Sequence, residues 1–381
     1  MLHAILIFLV ALAIFYTILT SSLSGLAKFI LTCVEMFAVS FIISKRYDLD
    51  TELGFVLLKS KRGIAVINEL AKHKKIWSFF SDVGTTISYG VIGAFLMRKN
   101  TNAASFAVGL CLLLLLSFFV APFALHYLSS VMTGSGFEKK VTLYFGDERT
   151  SALVLLLALL LGGFSLVLLL GVVYYGAHIA ILFFQLIFFG NQGMAAAQPG
   201  GTLLLPGVNL PFLEGLLALV VILVVHEGAH AVLARMANVP INSSGIVLLG
   251  IIPVGAFVEP DEKVLSEITQ KEQTRVYVAG STANFITAII FFVLFIAAAL
   301  LLRGFSSDSL FYSALNAIYS FLGLTFSINF VVATVNLLPL PFFDGYRILE
   351  LNVSDKRVVK AFMYLTLAAF IFNFLPWFFS D

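Results

Sequence analysis

Residues 216–232 read LLALVVILVVHEGAHAV, an apolar run that contains two histidines and a glutamate near its end. The run alone is typical of a membrane-spanning helix. Ionisable side chains within such a helix cost about 3 kcal/mol each, so they are rare there and usually serve a function. This stretch therefore raises the question of why His226, Glu227 and His230 lie in a hydrophobic segment.

The composition of the whole chain indicates a polytopic membrane protein. Of its 381 residues, 60% are hydrophobic and only 12% are charged, and the mean hydropathy is +1.02. A soluble protein of this length could not bury so much apolar surface. The net charge of +2 gives no information about nucleic acid, and no basic block with interleaved aromatic residues suggests it as a partner, so we expect none. Cys33 and Cys111 lie within apolar runs, so we expect free thiols rather than a disulfide framework.

The fold class predicted from the apolar runs is an all-α polytopic membrane protein with about nine to eleven transmembrane helices. The first run is expected to be a retained helix rather than a signal peptide, because no Lys or Arg precedes it and no clear cleavage site follows it. The candidate spans are residues 3–20, 24–43, 83–97, 104–127, 152–172, 173–190, 213–237, 278–302, 311–335 and 357–378.

Two segments between the spans have distinct patterns. Residues 44–82 carry more Lys and Arg than Asp and Glu, which favours the cytoplasmic side. Within them, residues 63–80 predict either a short amphipathic helix at the membrane interface or an ordinary polar loop. Residues 238–258 are apolar but interrupted by glycine and proline, which predicts a re-entrant or β-like segment close to the histidines.

The pattern HExxH at residues 226–230 predicts a zinc site. Positions i and i+4 share one face of a helix, so His226 and His230 can bind one zinc ion. Glu227 then lies beside the metal and can take a proton from a water molecule whose acidity the metal raises. The alternative is a helix in which these three side chains only satisfy each other or a neighbour, and the membrane setting disfavours it.

A catalytic zinc needs a third protein ligand. The other histidines lie outside any partner motif, so we expect a carboxylate. Asp344 follows a helix break made by Pro339 and Pro341, and it is favoured, although Asp-Gly is also a common turn pair. Glu259 is the rival, since gluzincin sites take a downstream glutamate, but it lies in a charged stretch.

Several motifs together resemble the site-2 protease family of intramembrane zinc metalloproteases, in its archaeal and eukaryotic branch. They are HEGAH at 226–230, NLLPLPFFDG at 336–345, RVYVAGSTAN at 275–284, GIIPVGAFVEP at 250–260 and PGVNLP at 206–211. The resemblance implies that His226, His230 and Asp344 hold one zinc ion and that Glu227 is the general base. It places Asn336 near the catalytic centre, and Gly280 and Asn284 in a motif that we interpret as structural.

The resemblance also implies a function and a set of partners. Members of the family cleave transmembrane helices of other proteins, often to release a regulatory fragment, so we expect transmembrane protein substrates, the lipid bilayer and a multi-pass location in the cell membrane. Many relatives carry a PDZ domain between the last two core helices, but residues 303–310 are too few for one. Selection of substrates by a PDZ domain is therefore expected to be absent or to be supplied by a partner, and a dimer or an accessory substrate adaptor is possible.

These expectations divide the chain into three regions. They are an N-terminal transmembrane region (1–190) with a basic cytoplasmic loop (44–82), a metalloprotease core (191–348) and a C-terminal transmembrane helix (349–381). Three alternatives stay open: a zinc transporter, a membrane gluzincin that uses Glu259 as third ligand, and an inactive relative that only binds membrane helices.

Overall fold

The chain is described from a computed structural model. It covers residues 2–23, 25–52, 54–60, 62–96, 102–132, 148–190, 192–202, 204, 206–207, 209–306 and 309–379. The helices are α1 Leu2–Thr20, α2 Gly25–Tyr47, α3 Arg62–Leu70, α4 Lys74–Tyr89, α5 Ile92–Leu96, α6 Ala103–Leu115, α7 Ala121–Val131, α8 Glu148–Phe189, α9 Phe212–Met236, α10 Glu262–Glu267, α11 Gln270–Leu302, α12 Leu310–Val335, α13 Asp344–Asn352 and α14 Lys356–Phe374. The strands are β1 Thr51–Glu52, β2 Phe55–Ser60, β3 Ile241–Leu249 and β4 Ile252–Pro260.

The predicted fold class is confirmed, with a smaller number of spans. Within the described residues, seven helices are long and apolar enough to cross a membrane. They are 74–96, 103–131, 149–189, 212–236, 270–302, 310–335 and 356–378, and α1 adds a shorter apolar stretch, Leu6–Ile18. One reason for the difference from nine to eleven is that the candidates 152–172 and 173–190 form the single helix α8.

The break in α8 lies at Gly163 and not at the predicted boundary after residue 172. Gly163 has φ 59° and ψ −157°, outside helical geometry, and the helix kinks there. Residues 164–189 alone measure about 39 Å along the axis, enough to cross the hydrocarbon layer. The apolar run has no polar interruption near residue 172, so only its length suggested a boundary there.

The region predicted as a basic loop, 44–82, is largely folded. It contains β1, β2, α3 and the first half of α4. Of the two predicted alternatives for residues 63–80, a short helix is present as α3, and its Ile67 is buried against residues near the end of α9. The Arg235 Nε also donates to Asn68 Oδ1 at 2.6 Å. This helix therefore packs on the end of the histidine-bearing helix.

A four-stranded antiparallel sheet lies beside α9. Its strand order is β1-β2-β3-β4, so the N-terminal region supplies two strands and the segment after α9 supplies the other two. The β3–β4 hairpin confirms the β-like segment predicted near residues 238–258. Strand β4 is an edge of this sheet, and it runs next to α9.

Helices α9, α11 and α12 pack on one another and form the centre of the molecule. Helix α11 begins with a capping box, in which the Thr269 side chain and the Glu272 side chain satisfy each other's backbone N–H groups. Aromatic residues such as Phe285 and Phe326 are fully buried between α11 and α12. This packing fixes the helices that carry the polar residues described below.

Helix α4 is joined to α11 by an ion pair within the membrane region. The Arg275 Nε and Nη2 donate to the two carboxylate oxygens of Asp82, each at 2.9 Å. Asp82 is only 5% exposed. Because charged groups in an apolar environment need such partners, this pair holds the beginning of α11 against α4.

Candidate metal centre

Helix α9 places two imidazoles side by side. His226 and His230 are one helical turn apart, and their Nε2 atoms are 3.2 Å from each other. His226 is buried, with 8% of its surface exposed. The predicted i, i+4 arrangement is therefore present, in the C-terminal half of a 25-residue helix.

The turn after α12 brings a carboxylate to the same point. The chain leaves α12, buries Leu337 and Leu338, and returns so that α13 begins at Asp344. The N–H of Gly345 donates to the carbonyl oxygen of Asn336 at 2.8 Å, which closes the turn. A Cβ atom on Gly345 would lie 2.1 Å from the Leu337 carbonyl oxygen, so only glycine allows this close approach.

The three side chains have the spacing of zinc ligands. Asp344 Oδ2 lies 3.4 Å from His226 Nε2 and 3.3 Å from His230 Nε2. A tetrahedral zinc ion with bonds of about 2.0–2.1 Å separates neighbouring ligand atoms by about 3.3–3.4 Å. Asp344 Oδ2 is also buried without a hydrogen-bond partner, which is the expected condition of an oxygen that binds a cation. The residues present therefore fit zinc.

The far side of each imidazole faces helix α11. His230 Nδ1 lies 2.7 Å from the carbonyl oxygen of Val276. His226 Nδ1 lies 3.1 Å from the side-chain amide of Asn284. Asn284 was predicted to have a structural role in helix packing, and its contact with a histidine was missed. The four-residue spacing of 276, 280 and 284 was the available signal, because such positions share one helix face.

A cavity of about 380 Å³ opens beside the three candidate ligands. Glu227 and Asn336 both line it, so the structure brings the predicted general base and Asn336 to the same cavity as the three candidate ligands. Val258 on β4 lines the same cavity. The remaining lining residues are Ile222, Leu223, Ala231, Ala234, Pro260, Leu265, Val276, Tyr277, Val332, Phe342 and Arg347.

Glu259, the rival third ligand, lies in a different environment. Its carboxylate accepts a hydrogen bond from the Ser243 hydroxyl and pairs with Lys59 Nζ at 3.0 Å. The Ser243 hydroxyl and the Lys59 ammonium hold the pKa of this carboxyl below its ordinary value. Among the described residues, the only group of three or more His, Cys, Asp or Glu side chains placed to hold a metal is His226, His230 and Asp344.

One comparison with known proteins covers the part of the chain that carries the site. Residues 214–376 match the model of peptidase family M50. An uncharacterized protein of Methanocaldococcus jannaschii is 35% identical over 97 residues, which is 26% of this chain and 26% of that protein. The chain thus spans about a quarter of the length of this curated relative. No solved structure matches.

Proposed function

We propose that this chain belongs to peptidase family M50, the site-2 protease family of intramembrane metalloproteases, because residues 214–376 match the family model and the motifs of the sequence resemble the same family. The chain is proposed to be a zinc endopeptidase that cleaves peptide bonds in or near transmembrane helices of other proteins. One observation carries this proposal: His226, His230 and Asp344 converge at a cavity beside a membrane-spanning helix.

In this proposal His226, His230 and Asp344 hold the metal, and two cavity residues act on the substrate. Zinc supplies Lewis-acid chemistry, lowering the pKa of a water molecule and polarising a carbonyl group. Glu227 accepts the proton of the attacking water and returns it to the leaving amine. The Asn336 amide donates a hydrogen bond that holds the substrate peptide or the developing oxyanion. The cavity brings water to bonds that lipid otherwise shields, which answers the question raised by residues 216–232.

The substrate segment is proposed to bind as an added strand on β4. A helical substrate has its backbone groups paired, so it must unwind before hydrolysis. Strand β4 is an edge strand, its residues Val258 and Pro260 line the cavity, and an exposed edge pairs readily with an extended peptide. We expect Ala256→Pro to reduce cleavage and to leave zinc content unchanged, because proline removes a backbone N–H group from β4 that an added strand could otherwise bind. Full cleavage by this variant would exclude strand addition.

Location and partners extend the same proposal. An integral membrane protein with this site is expected in the cell membrane, acting on transmembrane proteins and releasing fragments from them. Only residues 303–309 separate α11 from α12, too few for a PDZ domain. Selection of substrates would then rest with the core itself, with a dimer or with an accessory adaptor.

The test is zinc content and proteolysis of a single-span substrate in liposomes. We expect wild type to bind one zinc ion and cleave, Glu227→Gln to keep zinc without cleavage, and Asp344→Asn to lose zinc. Glu259→Gln is the matched carboxylate control and should keep both. Loss of zinc in Glu259→Gln but not in Asp344→Asn would indicate a gluzincin. Movement of zinc across the liposome without cleavage would indicate a transporter.

A further inference from the structure

One face of α11 packs against both candidate histidine ligands. Val276, Gly280 and Asn284 follow each other at intervals of four residues and therefore share this face. The Val276 carbonyl and the Asn284 amide contact the Nδ1 atoms of the two rings. Gly280 lies between them, where a Cβ atom would be 2.4 Å from His230 Nε2 and 2.5 Å from His226 Nε2. The imidazoles are thus held between α11 and the Asp344 carboxylate.

The Val276 contact determines which nitrogen of His230 carries the proton. A carbonyl oxygen can only accept a hydrogen bond, so His230 Nδ1 must donate to it. The neutral ring then has its lone pair on Nε2, the atom that faces Asp344. This is the protonation that a metal ligand requires.

As a metal ligand, His226 also needs its proton on Nδ1 and its lone pair on Nε2. Among the described residues, the one hydrogen-bonding contact of its Nδ1 is with Asn284. As oriented, the Asn284 Nδ2 atom faces the ring, while Oδ1 is buried without a hydrogen-bond partner. A half-turn of the amide about its last bond places Oδ1 against Nδ1, where it accepts the ring N–H. The same turn pairs Oδ1 with the ring N–H, moves Nδ2 to the place without a partner, and leaves the His226 Nε2 lone pair free.

We propose that Asn284 is the positioning residue of His226, presenting its carbonyl oxygen to the ring N–H so that Nε2 faces the metal. This inference rests on the proposed zinc site. Asn284 is fully buried, so solvent does not replace its contact with the ring. Residues that orient a metal-binding histidine in this way typically contribute about 10–100-fold to metal affinity.

The experiment measures the zinc dissociation constant of the full-length chain in detergent, by competition with a chelator of known affinity. We expect Asn284→Leu, similar in size but unable to accept, to bind zinc about 10–100-fold more weakly. Asn284→Asp keeps an acceptor at the same place and should bind at least as tightly as wild type. Asn329→Leu is the matched control, because Asn329 is equally buried and its amide donates to Thr325 on its own helix.

The order of the zinc affinities of the variants distinguishes a positioning role of Asn284 from a packing role. If Asn284 only fills space, the buried charge of Asp disturbs the helices more than Leu does, and Asn284→Asp binds zinc more weakly than Asn284→Leu. That order overturns the inference, as does wild-type affinity in a folded Asn284→Leu protein. Should Asn284→Leu fail to fold, the zinc affinity of Asn284→Asp tests the inference alone. Weaker zinc binding by Asn284→Asp than by wild type would then refute the inference. Wild type that takes up no zinc refutes the proposed function itself, and with it this inference.

Discussion

Breaking the ion pair between α4 and α11 should destabilise the protein strongly. Asp82 is 5% exposed and accepts two hydrogen bonds from Arg275, each at 2.9 Å. Hydrogen bonds to charged groups contribute about 1.5–3 kcal/mol each, and removing one partner of a buried pair costs about 3–5 kcal/mol. We therefore expect Asp82→Leu and Arg275→Met each to lower the free energy of unfolding by about 3–5 kcal/mol.

The double variant gives the decisive comparison. Replacing both members of a buried pair by apolar residues is often close to neutral, because no unpaired charge remains. Asp82→Leu combined with Arg275→Met should therefore recover most of the loss. The assay is unfolding of the detergent-solubilised protein, followed by the fluorescence of its two tryptophans, Trp77 on α4 and Trp377. The exposed pair of Lys356 and Glu350, 3.4 Å apart, provides the control, and Lys356→Met should change stability by less than about 1 kcal/mol.

Two results would refute this reasoning. Single variants as stable as wild type would mean that the pair does not hold α4 against α11. A double variant less stable than both single variants would mean that packing volume, and not the unpaired charge, is responsible. Either result would also weaken the argument that α4, which lies outside the family match, supports the helix behind the histidines.

Three other predictions concern the surroundings of the site. Gly280→Ala should lose zinc, because its Cβ would lie 2.4–2.5 Å from both imidazoles. Gly228→Ala is the control and should keep zinc, since no atom lies within 4 Å of the position of its Cβ. The zinc content of the purified variants checks both expectations. Gly345→Ala should also reduce zinc content, because its Cβ would meet the Leu337 carbonyl oxygen and displace Asp344. The pKa of Glu259 is lowered in the folded protein. Its contacts therefore stabilise the fold fully at a pH above the ordinary glutamate pKa of about 4.3, and this stabilisation is lost as the pH falls through the pKa of Glu259 in the folded state. Glu259→Gln should therefore reduce the loss of thermal stability below about pH 4.3, and an unchanged pH profile would contradict this.

Much of the fold was predictable because the bilayer imposes simple rules on the sequence. A span must be apolar and about 20 residues long, so runs such as 213–237 and 311–335 predicted α9 and α12 closely. The same rule failed in α8, where a continuous apolar run gave no sign of where the helix bends. The kink lies at Gly163, where φ is positive, and a glycine within an apolar run does not by itself distinguish a kink from close packing.

The strands and helices of the basic region 44–82 could not be predicted for a different reason. Its strand β2 is held by backbone hydrogen bonds to β3, which lies almost 200 residues later in the chain. Helix α3 is likewise held by contacts with α9. Charge and local periodicity carry no information about such distant partners, so a folded element was read as either a loop or an interfacial helix.

The candidate site separates the two sources of information most clearly. The sequence by itself determined which residues were chemically suited to hold a metal, because HExxH fixes two ligands through helix geometry and few carboxylates lie in apolar surroundings. It left Asp344 and Glu259 as alternative third ligands, since both are far from α9 in the sequence and local spacing does not show which of them lies near the histidines. Only the tertiary structure decided between their positions: the turn after α12 brings Asp344 to the imidazoles, while β4 pairs Glu259 with Lys59. The partners of the two Nδ1 atoms also emerged only there, because a hydrogen bond between α9 and α11 depends on how the helices pack, and no pattern within either helix records that packing.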